Sequence, residues 1–162
     1  MRQLTWDRNP KIGWWMDHNP IRFFHGTHIR NLEQISKNGI KAPQSGSTAG
    51  WVSLALDPYT AFGYASMSGS GGETLFRGVK GRPINVPASD RAILVVELQV
   101  RWMLQHMNQH MRGNISYTRD RLINKDLYEA WQRTDHEYYA TTEIRIGNLV
   151  PSRFIIGYMI KG

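Results

Sequence analysis

Apolar residues along this chain come in short blocks separated by polar and glycine-rich breaks, and each block predicts an element. Ile21 to Phe24 reads as a short strand running into a polar His25-Gly26-Thr27 turn. Asn31 to Asn38 follows as a short amphipathic helix with Leu32 and Ile35 inward and Gly39 as its C-cap. Ile40 returns the chain to the core. Trp51 to Leu56 is apolar enough for a buried strand. Asp57-Pro58 then opens a second helix carrying Tyr59, Phe62 and Tyr64, with Asp as N-cap and Pro in the first turn. Ala92 to Val100 (AILVVELQV) is the strongest strand signal of the chain. Trp102 to Met111 and Arg119 to Trp131 read as helices. Thr141 to Ile146 reads as a strand with one polar face, and Phe154 to Ile160 as a closing strand.

The breaks are as informative as the blocks. Residues 1–20 are rich in Trp, Asn and Pro and predict an irregular arm packed by aromatics. Lys41 to Gly50 is a Gly/Ser/Pro loop. Residues 66–90 hold Ser68-Gly69-Ser70-Gly71-Gly72, with Pro83 and Pro87 beyond, and predict a flexible loop. Strands cluster after an early helix without regular βαβ alternation, which predicts an α+β fold. The length of 162 residues suits a single domain spanning 1–162.

Composition narrows the partners. Hydrophobic residues make up 41%, enough for a core, and six tryptophans and seven tyrosines give aromatic surface to spare for a planar ligand. The formal charge of +7 favours an anionic partner: nucleic acid, a nucleotide or an anionic membrane. The absence of cysteine excludes disulfides and thiolate metal sites. No apolar run approaches a membrane span, and residues 1–7 lack the layout of a signal peptide, so the expected setting is cytoplasmic, without membrane partners.

Individual candidates are ambiguous when taken alone. His25 reads first as a structural histidine. His25 with His28, and His106 with His110, have loose metal spacing, but the zinc-helix glutamate is missing between the second pair, so no metal is expected. Ser53 reads as a small core residue, since no Gly-x-Ser-x-Gly elbow surrounds it. Tyr59 and Tyr64 fit core packing and ligand stacking equally. Glu143 is a charged residue of the kind exposed strand faces often carry. Arg77, Lys80, Arg82, Arg91 and Arg101 read as solvated surface or, with aromatics nearby, as charges tracking a phosphate backbone.

Together these pieces resemble the His-Tyr-Glu branch of the ADP-ribosyltransferase superfamily over roughly residues 21 to 160. FFHGTHIRNLEQISKNGIKA is similar to the opening strand and helix of that branch, both in DarT-type DNA ADP-ribosyltransferases and in RNA 2′-phosphotransferases. GWVSLALDPYTAFGYAS resembles the strand and helix of the nicotinamide pocket, and TTEIRIGNLVPSRFIIGYMI the late strand that begins with the catalytic glutamate. The resemblance implies a split mixed or antiparallel sheet flanked by short helices, with NAD as co-substrate. It implies that His25 bonds the adenine-side ribose, that Gly26 offers its backbone to the nicotinamide amide, and that Thr27 and Asn31 help hold the dinucleotide. Tyr64 would stack on the nicotinamide. Glu143 would bond the nicotinamide-side ribose and steady the cationic transition state. Ser53, and Tyr59 on the following helix, complete the implied cofactor-binding set.

The second-strand tyrosine of the branch has no obvious counterpart; Trp51 or Ser53 stands there, and Ser is what the Arg-Ser-Glu branch uses, with Arg22 three residues before His25. Thr141 stands two places before Glu143, where arginine-modifying toxins usually carry Glu or Gln. The expectation is a mono-ADP-ribosyltransferase, with a nucleic-acid acceptor somewhat favoured over protein and with a neutralising partner for so destructive an activity. An RNA 2′-phosphotransferase-like enzyme and a non-enzymatic basic nucleic-acid-binding module are the rival expectations.

Overall fold

The computed structural model describes residues 1–5, 20–44, 49–55, 58–65, 86–107, 116–118, 121–123 and 143–161. The arm tryptophans Trp6, Trp14 and Trp15, most of the 66–90 loop, and most of the segments around His110 and Trp131 lie outside these residues.

Five strands form the central sheet: β1 (Ile21–His28), β3 (Trp51–Ala55), β4 (Arg91–Leu98), β7 (Glu143–Gly147) and β9 (Ile155–Met159), in the order β7-β3-β1-β4-β9. Every neighbouring pair is antiparallel. Two smaller ladders join β2 (Ile40–Lys41) to β8 (Leu149–Val150) and β5 (Ser116–Thr118) to β6 (Arg121–Ile123). The helices are α1 (Leu32–Asn38), α2 (Pro58–Ala65) and α3 (Val100–His106). This is the α+β architecture expected, and no helix among the described residues is long and apolar enough to cross a membrane.

Strand alternation sorts the core into two layers. Ile21, Phe23, Leu54, Leu94, Val96, Ile144 and Ile146 face one side, where Ile35 of α1 and Met103 of α3 meet them. Phe24, Ala55, Ile93, Val95 and Met159 face the other, where Ala61 of α2 packs. The sheet is therefore apolar on both faces, which is why β4 reads as a continuous hydrophobic run rather than an alternating one.

Three expectations need correction. The His25-Gly26-Thr27 segment is not a turn: β1 pairs with β4 without interruption from Ile21↔Leu98 to His28↔Arg91. The glycine serves packing across the sheet, because a Cβ on Gly26 would overlap the Ala61 carbonyl oxygen and lie 2.8 Å from the Ala65 Cβ of α2. Within the segment expected to be helical from Arg119, the described residues Arg121–Ile123 are strand, with Tyr117 opposite Leu122. The helix expected to open at Trp102 starts earlier, at Val100, which ends β4 at Leu98. Gly39 is the C-cap of α1 as expected, at φ 79°, with its N–H bonded to the Ile35 carbonyl.

Candidate functional site at the split of the sheet

The central sheet is not uniformly zipped. β1 is laddered to β4 along its whole length, yet among the described residues its register with β3 is confined to Phe24↔Ala55. Beyond that pair, His25–His28 and Trp51–Leu54 are not laddered to each other, while β3 stays paired to β7 from Trp51↔Gly147 to Ala55↔Glu143. The sheet thus opens between its second and third strands.

His25 stands at the opening. Its Nδ1 lies 2.8 Å from the Ser53 carbonyl oxygen across the gap. A carbonyl only accepts, so Nδ1 carries the hydrogen and donates it. That fixes the tautomer: in the neutral ring, Nε2 holds a lone pair and is an acceptor. Burial pushes the imidazole below its ordinary value of 6.5, and the Ser53 carbonyl opposes this without cancelling it. Near neutral pH the ring is uncharged. The product is an immobilised, neutral acceptor at a strand edge, suited to a hydroxyl donor such as a ribose.

Glu143 opens β7 and stands opposite Ala55, which in turn stands opposite Phe24. It therefore shares a row with the residue before His25, two strands away, or roughly 10 Å by ordinary strand spacing. Sequence separation of more than a hundred residues is closed by register alone.

The remaining candidates are distributed around this opening. Thr27 is fully buried and Asn31 nearly so; Asn31 Nδ2 donates to Thr27 Oγ1 at 3.2 Å, tying the 3-10 turn Ile29–Asn31 to the end of β1. Ser53 contributes the carbonyl that orients His25. Tyr64 is 47% exposed near the end of α2. Tyr59, in the first turn of that helix, has its ring 5.9 Å from Lys161 Nζ. Arg22 is held by Glu97, with its Nη2 donating to Oε1 at 2.8 Å, so its guanidinium is engaged at the β1–β4 pair.

Of the histidines considered for metal, His25, His28 and His106 are described and bonded otherwise, and His110 lies outside the described residues. His28 Nδ1 accepts the Arg30 backbone N–H and caps the 3-10 turn, and strand alternation sends it to the face opposite His25. His106 stacks on Trp102 with ring centroids 4.1 Å apart, its Nδ1 2.8 Å from the Trp102 carbonyl. No group of three or more potential metal ligands occurs among the described residues.

The role of the Ser53 carbonyl escapes sequence reasoning, because any residue supplies that atom. Phe62 and Lys161 carry no local sequence signal for a polar site; the β4–β9 register, continued by two residues, brings Lys161 beside Arg91.

No family model matches the sequence, and no curated protein matches it. Among solved structures, the chain is similar to Thermosipho africanus DarTG in complex with ADP-ribose, at 14% identity and TM-score 0.49 over 87% of this chain. It spans 44% of that protein's length. It is also similar to Thermus sp. 2.9 DarT in complex with NAD+, at 16% identity and TM-score 0.46, and in complex with carba-NAD+, at 18% and 0.45. Both Thermus comparisons cover 90% of this chain and 84% of the other.

Proposed function

We propose that this chain is an NAD-dependent mono-ADP-ribosyltransferase acting on a macromolecule, with nucleic acid favoured as acceptor. One observation carries the reading: the sheet opens between β1 and β3 at His25, a neutral acceptor locked by the Ser53 carbonyl, with Glu143 two strands away in the row of the preceding residue, Phe24.

The chemistry fits that arrangement. A ribose hydroxyl of NAD donates to His25 Nε2. The β3-facing edge of β1 past Phe24 offers backbone to a carboxamide, and the exposed Tyr64 ring offers a stacking surface. Departure of nicotinamide breaks the ribose C1′–N bond, with the electron pair passing to the pyridine nitrogen. The sugar acquires oxocarbenium character, which a carboxylate stabilises by charge. The acceptor nitrogen or oxygen then bonds to C1′ and loses its proton. Nicotinamide leaves neutral from a cationic ring, so the site needs no strong acid, only exclusion of water in favour of the acceptor. The net charge of +7 supports a polyanionic acceptor.

The test is transfer of label from adenine-labelled NAD into separate pools of single-stranded DNA, RNA and protein. Glu143→Gln is expected to retain NAD binding while losing most turnover, about two orders of magnitude or more for a lost charge-stabilising group. Turnover at the parental rate in that variant overturns the assignment of Glu143. No label in any pool, with no nicotinamide released, overturns the transferase.

A further inference from the structure

At the far end of the sheet from the β3–β7 pair, a second cluster sits on the α2 face. The register His28↔Arg91 and, continued by two residues from Ile93↔Met159, Arg91 beside Lys161 lines three basic residues across β1, β4 and β9. The Arg91 guanidinium carbon lies 4.7 Å from the centre of the Phe62 ring, and Lys161 Nζ lies 4.9 Å from the same ring and 5.9 Å from that of Tyr59. Both rings belong to α2.

The hydrogen-bond partners of Arg91 are neutral: its Nε donates to the Val86 carbonyl at 2.9 Å and its Nη1 to the Phe62 carbonyl at 3.4 Å. The ion pairs among the described residues are Arg22–Glu97 and Lys37–Glu33, so neither Arg91 nor Lys161, nor the adjacent Asp90, takes part in one. Two like charges thus share one ring with no ion-paired carboxylate among the described residues. Aromatic faces hold the cations in place, but only an anion relieves their mutual repulsion. The carbonyls take the Nε–H and one Nη1 hydrogen of the planar Arg91 fork, leaving its other N–H donors, of the kind that pair with phosphate.

We propose that Arg91 and Lys161, seated on Phe62 and Tyr59, form a phosphate clamp that grips the backbone of a single-stranded nucleic-acid acceptor. This rests on the nucleic-acid reading of the acceptor given above, yet it is measured without NAD. Arg91 stands opposite His28, three residues along β1 from His25 and on the other face of the sheet, so the clamp would anchor the strand at the end of β1 rather than beside His25.

The experiment is fluorescence anisotropy of the full chain with short labelled oligothymidylate and oligouridylate, each over a salt series. Lys161→Gln, at an exposed position, is expected to weaken binding several-fold and to lower the steepness of the log affinity against log salt plot by about 0.7, one phosphate contact on a single strand. The double variant with Arg91→Gln should lower it by about 1.4. Lys37→Gln, which removes the same charge elsewhere, should leave the slope unchanged. Circular dichroism checks that each variant is folded, and Lys161→Gln keeps the test alive if Arg91→Gln is not. The two oligomers distinguish DNA from RNA as the source of the backbone. Parental affinity and slope in Lys161→Gln overturn the clamp, as does an equal effect of Lys37→Gln or the absence of binding to both oligomers. Binding with the expected slopes but no transfer from NAD keeps the clamp and removes the transferase; transfer to protein without oligomer binding does the reverse.

Discussion

At the residue scale, His25 controls both a structural bond and a chemical property. Its folded value lies below 6.5, with burial the larger cause. The sign of the consequence is fixed by linkage. Below 6.5 the unfolded chain takes up a proton that the folded ring resists, so stability is full above 6.5 and declines as pH falls through the window beneath it. Affinity for NAD follows the folded ring instead. It is expected to hold through 6.5 and drop only lower, where Nε2 becomes a donor and no longer accepts. Melting curves and NAD titrations across this range check both limbs, and an affinity that already falls through 6.5 removes the burial account. His25→Ala is expected to cost about 1–3 kcal/mol, because the Ser53 carbonyl loses its donor inside the fold. His25 was legible in the sequence as a candidate. Its tautomer was not, since that depends on a backbone atom 28 residues away.

At the element scale, the strand Ala92 to Leu98 and the cap at Gly39 were legible because local signals and tertiary demand agree there. The His-Gly-Thr segment was misread because locally a glycine between polar residues signals a turn. In the fold, Gly26 lets the backbone of α2 close onto β1, a demand set by residues 35 and more positions downstream that no local window contains. The expected outcome of Gly26→Ala is therefore severe for a single methyl group: about 1–3 kcal/mol of destabilisation or more, by overpacking against the Ala61 carbonyl and Ala65. Denaturant unfolding measures it, and a compensating Ala65→Gly should recover part of the loss if the close approach is the cause. Full stability in Gly26→Ala would return the glycine to a ligand-facing role. The pairing of β1 with β3 at Phe24↔Ala55 alone was equally hidden, because both strands are apolar and nothing in either sequence forbids a longer ladder.

At the scale of the whole molecule, the opening in the sheet is tolerable only if its other edges are secured. The outermost strands of the central sheet are β7 and β9. Each is met by a short segment outside the named strands: Met107 bridges Ile146 on β7, and Gln3 bridges Tyr158 on β9. On the β9 side the cover is hydrogen-bonded in both directions, with Leu4 N–H donating to the Tyr158 carbonyl at 2.7 Å and Tyr158 N–H donating to the Arg2 carbonyl at 3.0 Å. Leu4 also packs against the core layer beneath α2. Unpaired strand edges template association between chains, so these segments act as edge protection as well as packing. Leu4→Pro tests this directly. Proline has no N–H, so the Tyr158 carbonyl loses its donor, at about 1 kcal/mol for the bond itself. The expected readout is faster exchange of the Tyr158 amide and concentration-dependent association of the variant. Unchanged exchange and a monodisperse variant would mean that the β9 edge is secured without Arg2–Leu4. Because β9 also carries the chain on to Lys161, loosening this edge should further weaken oligonucleotide binding while leaving the opening at His25 on β1, two strands away across the sheet, in place.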